Sequence, residues 1–198
     1  MAPELHQAFM ILLERRQSTR DFRPDAVAEY HLEWLREAVR QAPSAGGDRG
    51  VRCFFLTSRN EIKALAEKTQ ESFAKFCAKV DSPYIKEELE KYAGESGWFA
   101  KAPALAVVTA RKTPSILQEC LGETSEAFFG AVASAAMAVQ NMLLAAESLG
   151  LGACPLTGPL ACAAELEEYL KIDKTHKLAF LVALGHKRQE GEESWAVM

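Results

Sequence analysis

The stretch RRQSTRDFR, residues 15–23, carries four arginines, although the whole chain has a formal net charge of −4. Residues 4–16 place apolar side chains at helical spacing, so the arginines follow the end of a predicted first helix. Beyond that end Arg16, Ser18 and Arg20 alternate, and alternate residues of an extended chain project to one side. Two guanidinium groups around a hydroxyl suit a phosphate. The residues alone also fit a simpler interpretation, in which the arginines stabilise the helix C-terminus and pair with nearby aspartates.

The composition is that of a folded domain with its own core. The chain has 198 residues, of which 48% are apolar and 25% charged. A chain of this size can bury roughly 70% of its unfolded surface, so we expect residues 1–198 to form a single domain. The acidic balance leaves no broad basic surface for nucleic acid or an anionic membrane. Positive charge is therefore expected to act locally.

Three features favour a cytoplasmic protein without a transmembrane segment. The five cysteines are widely spaced and form no C-x-x-C pair or Cys/His cluster, which favours a reducing compartment and predicts no metal site. An acid and a histidine precede the short apolar stretch of the N-terminus, which is typical of a helix and not of a secretion signal. The most apolar window, residues 127–149, is rich in alanine and contains polar residues, which suits a buried helix.

The pattern of apolar residues predicts the following organisation. Predicted helices span residues 4–16, 28–41, 61–76, 125–149 and 162–170. Predicted buried strands span residues 52–58, 103–110 and 177–186. Asn60 is expected to cap the third helix. Residues 77–97 are mixed, charged and aromatic, and we interpret them as an excursion from the core that acts as a lid.

Two loops between these elements are candidates for ligand binding. APSAGG, residues 42–47, offers exposed backbone N–H groups, but it matches neither a P-loop nor a G-x-G-x-x-G motif, and it also fits an ordinary turn. GLGACPLTGP, residues 150–159, combines two prolines and three glycines and predicts an irregular, rigid backbone after the most buried helix. Rigid loops on a packed scaffold often form sites. Cys154 within it is interpreted as a buried structural cysteine.

The arginine-rich stretch and the two candidate loops, taken in their order along the chain, resemble the FMN-dependent nitroreductase family. RRQSTRDF is similar to that family's R-x-S-x-R-x-F motif, and APSAGGDRGVRCFFL resembles its A-P-S-x-x-N-x-Q-P-W-x-F segment. AVQNMLLAAESLGLGACPLTG resembles its central helix and following flavin loop, and LVALGH resembles its closing strand. The likeness spans the chain from Leu12 to His186.

The resemblance implies an α+β fold, with a mostly antiparallel sheet surrounded by helices. It also implies an intertwined homodimer that holds two FMN molecules at its interface, with the alanine-rich helix at the centre. The FMN-binding residues that it implies are Arg16, Gln17, Ser18, Arg20, Pro43, Ser44, Ala45, Gly47, Pro155, Leu156, Thr157, Gly158, Lys187 and Arg188.

The resemblance also assigns roles to several of these residues. Arg16 and Ser18 are expected near the phosphate and ribityl chain. Arg20 is expected at the pyrimidine side of the ring, where a guanidinium favours the reduced anion. Thr157 is expected close to N5. The residues expected to reach the flavin of the other subunit are Pro43, Ser44, Ala45 and Gly47.

The implied activity is an FMN-dependent transfer of hydride from NAD(P)H to an electron-poor acceptor such as a nitroaromatic or quinone. No side chain must act as acid or base, so no catalytic residue is predicted. Aromatic residues near the predicted lid are candidates for ring stacking, although they fit packing equally well. These residues are Tyr84, Tyr92, Trp98 and Phe99.

Departures from the family pattern keep alternatives open. Gly47 stands where many relatives have asparagine, and residues 49–51 replace Gln-Pro-Trp. The usual basic pair near the C-terminus has no clear counterpart, so Lys187 and Arg188 are assigned in its place. A flavin-binding protein that sequesters or delivers FMN with little turnover therefore remains an alternative. Reductive dehalogenase and peptide azoline dehydrogenase relatives share the motifs and remain alternatives as well.

Overall fold

The computed structural model describes residues 2–44, 50–112 and 125–188. In these residues the helices are α1 Ala2–Arg15, α2 Glu29–Arg40, α3 Arg59–Cys77, α4 Pro83–Ser96, α5 Ser125–Ser148 and α6 Ala163–Tyr169. The strands are β1 Val51–Leu56, β2 Ala104–Arg111, β3 Leu151–Leu156 and β4 His176–His186. Short 3₁₀ turns span Trp98–Lys101 and Gly158–Cys162.

The four strands form one sheet in the order β1–β2–β4–β3, and every neighbouring pair is antiparallel. The central strands β2 and β4 are nearly continuous apolar runs because helices cover both of their faces. The predicted α+β fold, with a mostly antiparallel sheet surrounded by helices, is confirmed.

The alternation of side chains along β2 divides the core into two layers. Ala104, Ala106 and Val108 face one side, where α2 and α5 pack. Leu105 and Val107 face the other side, where α3, α6 and the Phe99 ring pack. Neighbouring strand residues point to opposite faces of a sheet, so a single apolar strand can serve both layers.

The predicted irregular loop over residues 150–159 is wrong in its first part. Gly150 ends α5 with a φ of 72°, a left-handed conformation that favours glycine. Leu151–Leu156 then forms β3, which pairs with β4 along its full length. Pro155 is tolerated there because β3 lies at the edge of the sheet, where a missing N–H need not break a ladder.

The predicted excursion at residues 77–97 contains a helix that the pattern of apolar residues did not predict. Pro83 lies in the first turn of α4, where its fixed φ suits helix initiation. None of the α4 residues is buried, which explains the missing apolar periodicity. The expected cap at Asn60 is also wrong, because α3 starts earlier and the Ser58 hydroxyl accepts a hydrogen bond from the Glu61 N–H at 3.4 Å.

The remaining predicted helices and strands lie within two residues of the observed bounds. No helix in the described part of the chain combines the length and the apolar character needed to cross a membrane. Whether residues 77–97 act as a lid stays a prediction.

Candidate functional site

The arginine-rich segment that follows α1 lies along the outer edge of β3. The Thr19 N–H donates a hydrogen bond to the Ala153 carbonyl at 3.0 Å, and Ser18 and Ala153 form a parallel bridge. The approach is close because residue 152 is a glycine: a Cβ at Gly152 would lie 2.7 Å from the Thr19 side chain. This pairing fixes Arg20 beside the residues at the end of β3.

A cavity of about 470 Å³ opens at that point, and we call it the Arg20 cavity. Its lining residues come from three sources: the arginine-rich segment, the end of α4 with the following turn, and the residues at and beyond the end of β3. They are Arg20, Tyr92, Glu95, Ser96, Trp98, Cys154, Pro155, Leu156, Thr157, Gly158 and Pro159. Its size is within the range of small-molecule and cofactor sites, roughly 300–1,000 Å³.

The guanidinium of Arg20 is available to a ligand in this cavity. Arg23 forms an ion pair with Asp25 at 2.8 Å, so the simpler interpretation of the arginine cluster holds for Arg23. Neither Arg16 nor Arg20 forms an ion pair with another residue among those the structure describes. Arg20 is exposed and Arg16 is half-buried. The Arg20 guanidinium therefore has no ion-pair partner among the described residues, although the Glu95 carboxylate also lines the cavity.

Cys154 forms a neutral part of the cavity wall. Burial raises the pKa of the Cys154 thiol, while the charge of Arg20 and a hydrogen bond with Ser18 lower it to a smaller extent. The thiol lies 3.6 Å from the Pro155 carbonyl oxygen, to which it donates a weak hydrogen bond. The interpretation of Cys154 as a buried cysteine agrees with this environment. The hydrogen bond between Ser18 and the Cys154 thiol also places the Ser18 hydroxyl beside the cavity.

Helix α4 supplies one wall of the cavity through Tyr92. The Tyr92 ring packs edge-on against Phe73 of α3, with ring centroids 5.2 Å apart. Its hydroxyl lies directly over Gly158, where an added Cβ would come within 2.3 Å of the oxygen. Helix α4 therefore touches the segment that follows β3.

The structure separates the four aromatic candidates for ring stacking. Tyr92 and Trp98 line the Arg20 cavity. Phe99 is fully buried in the core, and Tyr84 is 74% exposed and lies outside the cavity. Glu95 and Ser96 also line the cavity, and sequence reasoning did not identify them, because no motif marks them and α4 itself was not predicted. Pro159, in the candidate stretch 150–159, lines the cavity as well.

Pro43 and Ser44 lie in a different cavity of about 430 Å³, bounded by α2, β1 and α5. It shares no lining residue with the Arg20 cavity. Three arginines, Arg36, Arg40 and Arg52, contribute to its lining. The chain by itself does not bring Pro43 and Ser44 to Arg20. Ala45 and Gly47 lie outside the described residues.

The C-terminal basic residues have partners within the chain. Lys187 forms an ion pair with Glu147 at 2.5 Å, and Arg15 approaches the same buried carboxylate at 3.6 Å. Arg188 donates hydrogen bonds to the Asp21 carboxylate and to the Phe22 carbonyl, both at 3.0 Å. These contacts tie the end of β4 to α5 and to the arginine-rich segment. A role for Lys187 and Arg188 at a phosphate stays a prediction, as does that of Gln17, which is exposed.

Two curated proteins are similar in sequence. A 5,6-dimethylbenzimidazole synthase from Rhodobacter capsulatus is 31% identical over 153 residues, which are 76% of this chain and 71% of that protein. An NADPH-flavin oxidoreductase from Vibrio harveyi is 33% identical over 108 residues, which are 53% of this chain. That match spans only 45% of the length of the Vibrio enzyme.

Solved structures share the fold. A BluB-like flavoprotein from Clostridium difficile has a TM-score of 0.80 at 21% identity, covering 96% of this chain and 94% of that one. A nitroreductase with bound FMN from Bacteroides fragilis has a TM-score of 0.68 at 22% identity, covering 96% of this chain and 97% of that one. The family model described as "Nitroreductase family" matches residues 13–186. The chain therefore belongs to the nitroreductase family, as the motifs around Arg20 and Thr157 indicated.

Proposed function

We propose that this protein is a flavin-dependent oxidoreductase that binds FMN in the Arg20 cavity. One observation carries the proposal: pairing of the arginine-rich segment with β3 places Arg20 in the same cavity as residues 155–158. A guanidinium without a carboxylate partner suits the polar edge of a flavin, and the flat apolar surface of Pro155, Leu156 and Trp98 suits its ring. The residues present therefore fit the cofactor.

Bound FMN would supply the hydride chemistry, and the chain's own residues would tune and protect it. Arg20 stabilises negative charge on the pyrimidine side of the ring. Pro155, Leu156 and Pro159 exclude water from part of the site. Thr157 offers a hydroxyl for hydrogen bonding at the ring edge, and Arg16 and Ser18 lie upstream on the same segment for the ribityl phosphate.

The proposed active form is a homodimer. Pro43 and Ser44, which the family resemblance assigns to FMN, lie in a separate cavity of the same chain, so a second copy is needed to bring them to the flavin. The surface of α1 supports this, because Leu5 and Phe9 are 72% and 47% exposed. A partner that covers α1 removes these apolar side chains from water.

NAD(P)H is the proposed electron donor, and an electron-poor acceptor such as a nitroaromatic or quinone is the proposed acceptor. The Vibrio harveyi relative is named for NADPH-flavin oxidoreduction, which supports a nicotinamide donor. The Arg20 cavity is open to solvent and partly apolar, as access by a donor and an acceptor requires.

The proposal is tested on purified protein in two steps. A flavin absorption spectrum, or uptake of added FMN, tests cofactor binding. Anaerobic mixing with NADH or NADPH then tests reduction, which bleaches the visible flavin band. A protein that neither carries nor binds FMN contradicts the proposal, and one that binds FMN without bleaching favours the sequestering alternative.

A second candidate function is synthesis of 5,6-dimethylbenzimidazole. It is favoured by the sequence match to a protein of that name over 76% of the chain. The flavin ring and 5,6-dimethylbenzimidazole share a benzene ring with two methyl groups, so the same cavity is chemically suitable. Aerobic incubation of the reduced flavoprotein, followed by mass spectrometry for the benzimidazole, distinguishes this function from simple oxidoreduction.

A further inference from the structure

Glu95 lies on the wall of the Arg20 cavity and forms no ion pair within the part of the chain that the structure describes. Its side chain is exposed and lines the cavity on the α4 side. Within residues 2–44, 50–112 and 125–188 it has no ion pair and no hydrogen bond through its carboxylate. Arg20 is the other charged residue of the lining.

The last turn of α4 holds Glu95 in place. Three residues earlier, Tyr92 is fixed by the Phe73 ring and by Gly158. The Ser96 hydroxyl donates a hydrogen bond to the Ala93 carbonyl at 2.8 Å. A Cβ at Gly97 would lie 2.5 Å from the Gln70 side-chain nitrogen, so the backbone there packs closely on α3. Glu95 therefore extends from a fixed backbone on the cavity wall.

A flavin bound as proposed changes the balance of charge in the cavity. The positive charge of Arg20 is then directed at the pyrimidine edge of the ring and is offset by the electron density there. The carboxylate of Glu95 remains as the formal charge that faces the rest of the cavity. Glu95 is exposed, so salt screens its charge beyond about 10 Å, but a charged acceptor held in the cavity would lie within that distance.

We propose that Glu95 sets the charge preference of the acceptor subsite, so that flat neutral or cationic aromatic acceptors are favoured and anionic ones are rejected. The inference rests on the proposed flavin-dependent function and names a substrate class for it. Tyr92 gives the acceptor an aromatic surface on the same side of the cavity, and the Glu95 carboxylate repels an anionic acceptor there. Specificity of this kind depends on disfavouring the competitor as much as on binding the preferred ligand.

The test compares three nitroaromatic compounds that differ mainly in charge: 4-nitrobenzoate, 4-nitrobenzamide and (4-nitrobenzyl)trimethylammonium. Two quantities are measured for each: kcat/KM in turnover with NAD(P)H, and Kd for the oxidised flavoprotein from changes in the visible flavin spectrum. Glu95→Gln should raise kcat/KM and tighten binding for the anion about three- to tenfold. It should weaken both for the cation by a similar factor and leave the amide within about twofold.

The matched control is Glu90→Gln. Glu90 is an exposed residue of the same helix, lies outside the cavity lining and points to the other side of the helix at 3.6 residues per turn. The Glu90→Gln substitution removes the same net charge as Glu95→Gln, so a long-range effect of charge would appear in both variants. Glu95→Lys should invert the preference and favour 4-nitrobenzoate over the cation.

The outcomes separate this inference from the proposed function. A protein that binds no FMN contradicts both. If FMN is bound and turned over but Glu95→Gln leaves the ratio of anion to cation unchanged, only the role of Glu95 is wrong. An equal shift of that ratio in Glu90→Gln would also overturn it, because the effect would then arise from net charge and not from the cavity wall.

Discussion

Replacing Gly158 with alanine should push Tyr92 away from the segment that follows β3. A Cβ on Gly158 would lie 2.3 Å from the Tyr92 hydroxyl oxygen and 3.1 Å from the ring carbon that bears it. Gly150 is the glycine with a positive φ among the described residues, so an alanine at position 158 fits its own backbone. The collision with Tyr92 is therefore the main cost of the substitution.

The size of the effect follows from what Tyr92 loses. Its edge-on contact with Phe73, at 5.2 Å between centroids, is of a kind that contributes about 0.5–1.5 kcal/mol. Replacing glycine by alanine gains about 0.4–1 kcal/mol by restricting the unfolded chain. We expect Gly158→Ala to be destabilising by about 0.5 kcal/mol, and to be stabilising by a similar amount in a Tyr92→Phe background, where the hydroxyl is absent. The coupling energy between the two positions is then about 1 kcal/mol.

Urea unfolding followed by circular dichroism measures this coupling in the wild type, the two single variants and the double variant. All four proteins are compared at one protein concentration, because association would shift the apparent stability. Additive effects, with a coupling below about 0.3 kcal/mol, would refute the placement of the Tyr92 hydroxyl over Gly158 and with it the contact of α4 with the site.

Three further predictions concern charge. Arg20→Gln should weaken FMN binding about tenfold or more, because a charge-assisted hydrogen bond is lost, and it should lower the flavin midpoint potential. Arg23→Gln should change neither the FMN affinity nor the midpoint potential when both are measured by the same titrations. Glu147→Gln should cost about 1–3 kcal/mol in urea unfolding, because the buried carboxylate holds two cations, whereas Glu37→Gln on the surface should cost less than about 0.5 kcal/mol. Burial lowers the pKa of His176, so the native state keeps it neutral while the unfolded chain takes up a proton below about pH 6.5. Stability should therefore fall as the pH drops through this range, and His176→Gln should flatten the slope of unfolding free energy against pH.

Most of the fold was predictable because its helices and strands bury regular apolar patterns. Leu32, Leu35 and Val39 mark the buried face of α2, and the apolar run at residues 103–110 marks a strand covered on both faces. Besides the cap of α3, the two elements that were not predicted are α4 and β3. Helix α4 buries no residue and so shows no periodicity, and β3 contains glycine and proline that local patterns assign to loops. Its position at the sheet edge, which only the tertiary fold decides, makes Pro155 acceptable.

The candidate site was predictable where a contiguous motif carries it. The motifs pointed to Arg20 and to residues 155–158, and the structure places them in one cavity. Tyr92 was among several aromatic candidates, and no motif separated it from Tyr84. Glu95 was not foreseen because its place on the cavity wall depends on how α4 packs against α3. Contacts of that kind arise from tertiary packing and leave no local pattern in the sequence.

The backbone pairing of Thr19 with Ala153 also has a consequence for proteolysis and handling of the protein. An uncovered outermost strand can recruit the same strand of another molecule and start aggregation. In this chain the segment that carries Arg20 covers part of β3. Removing residues 1–20 would therefore take away Arg16 and Arg20, which we propose to bind FMN, and would expose the outer edge of β3 to pairing with another molecule. Loss of the flavin colour and loss of solubility should then occur together.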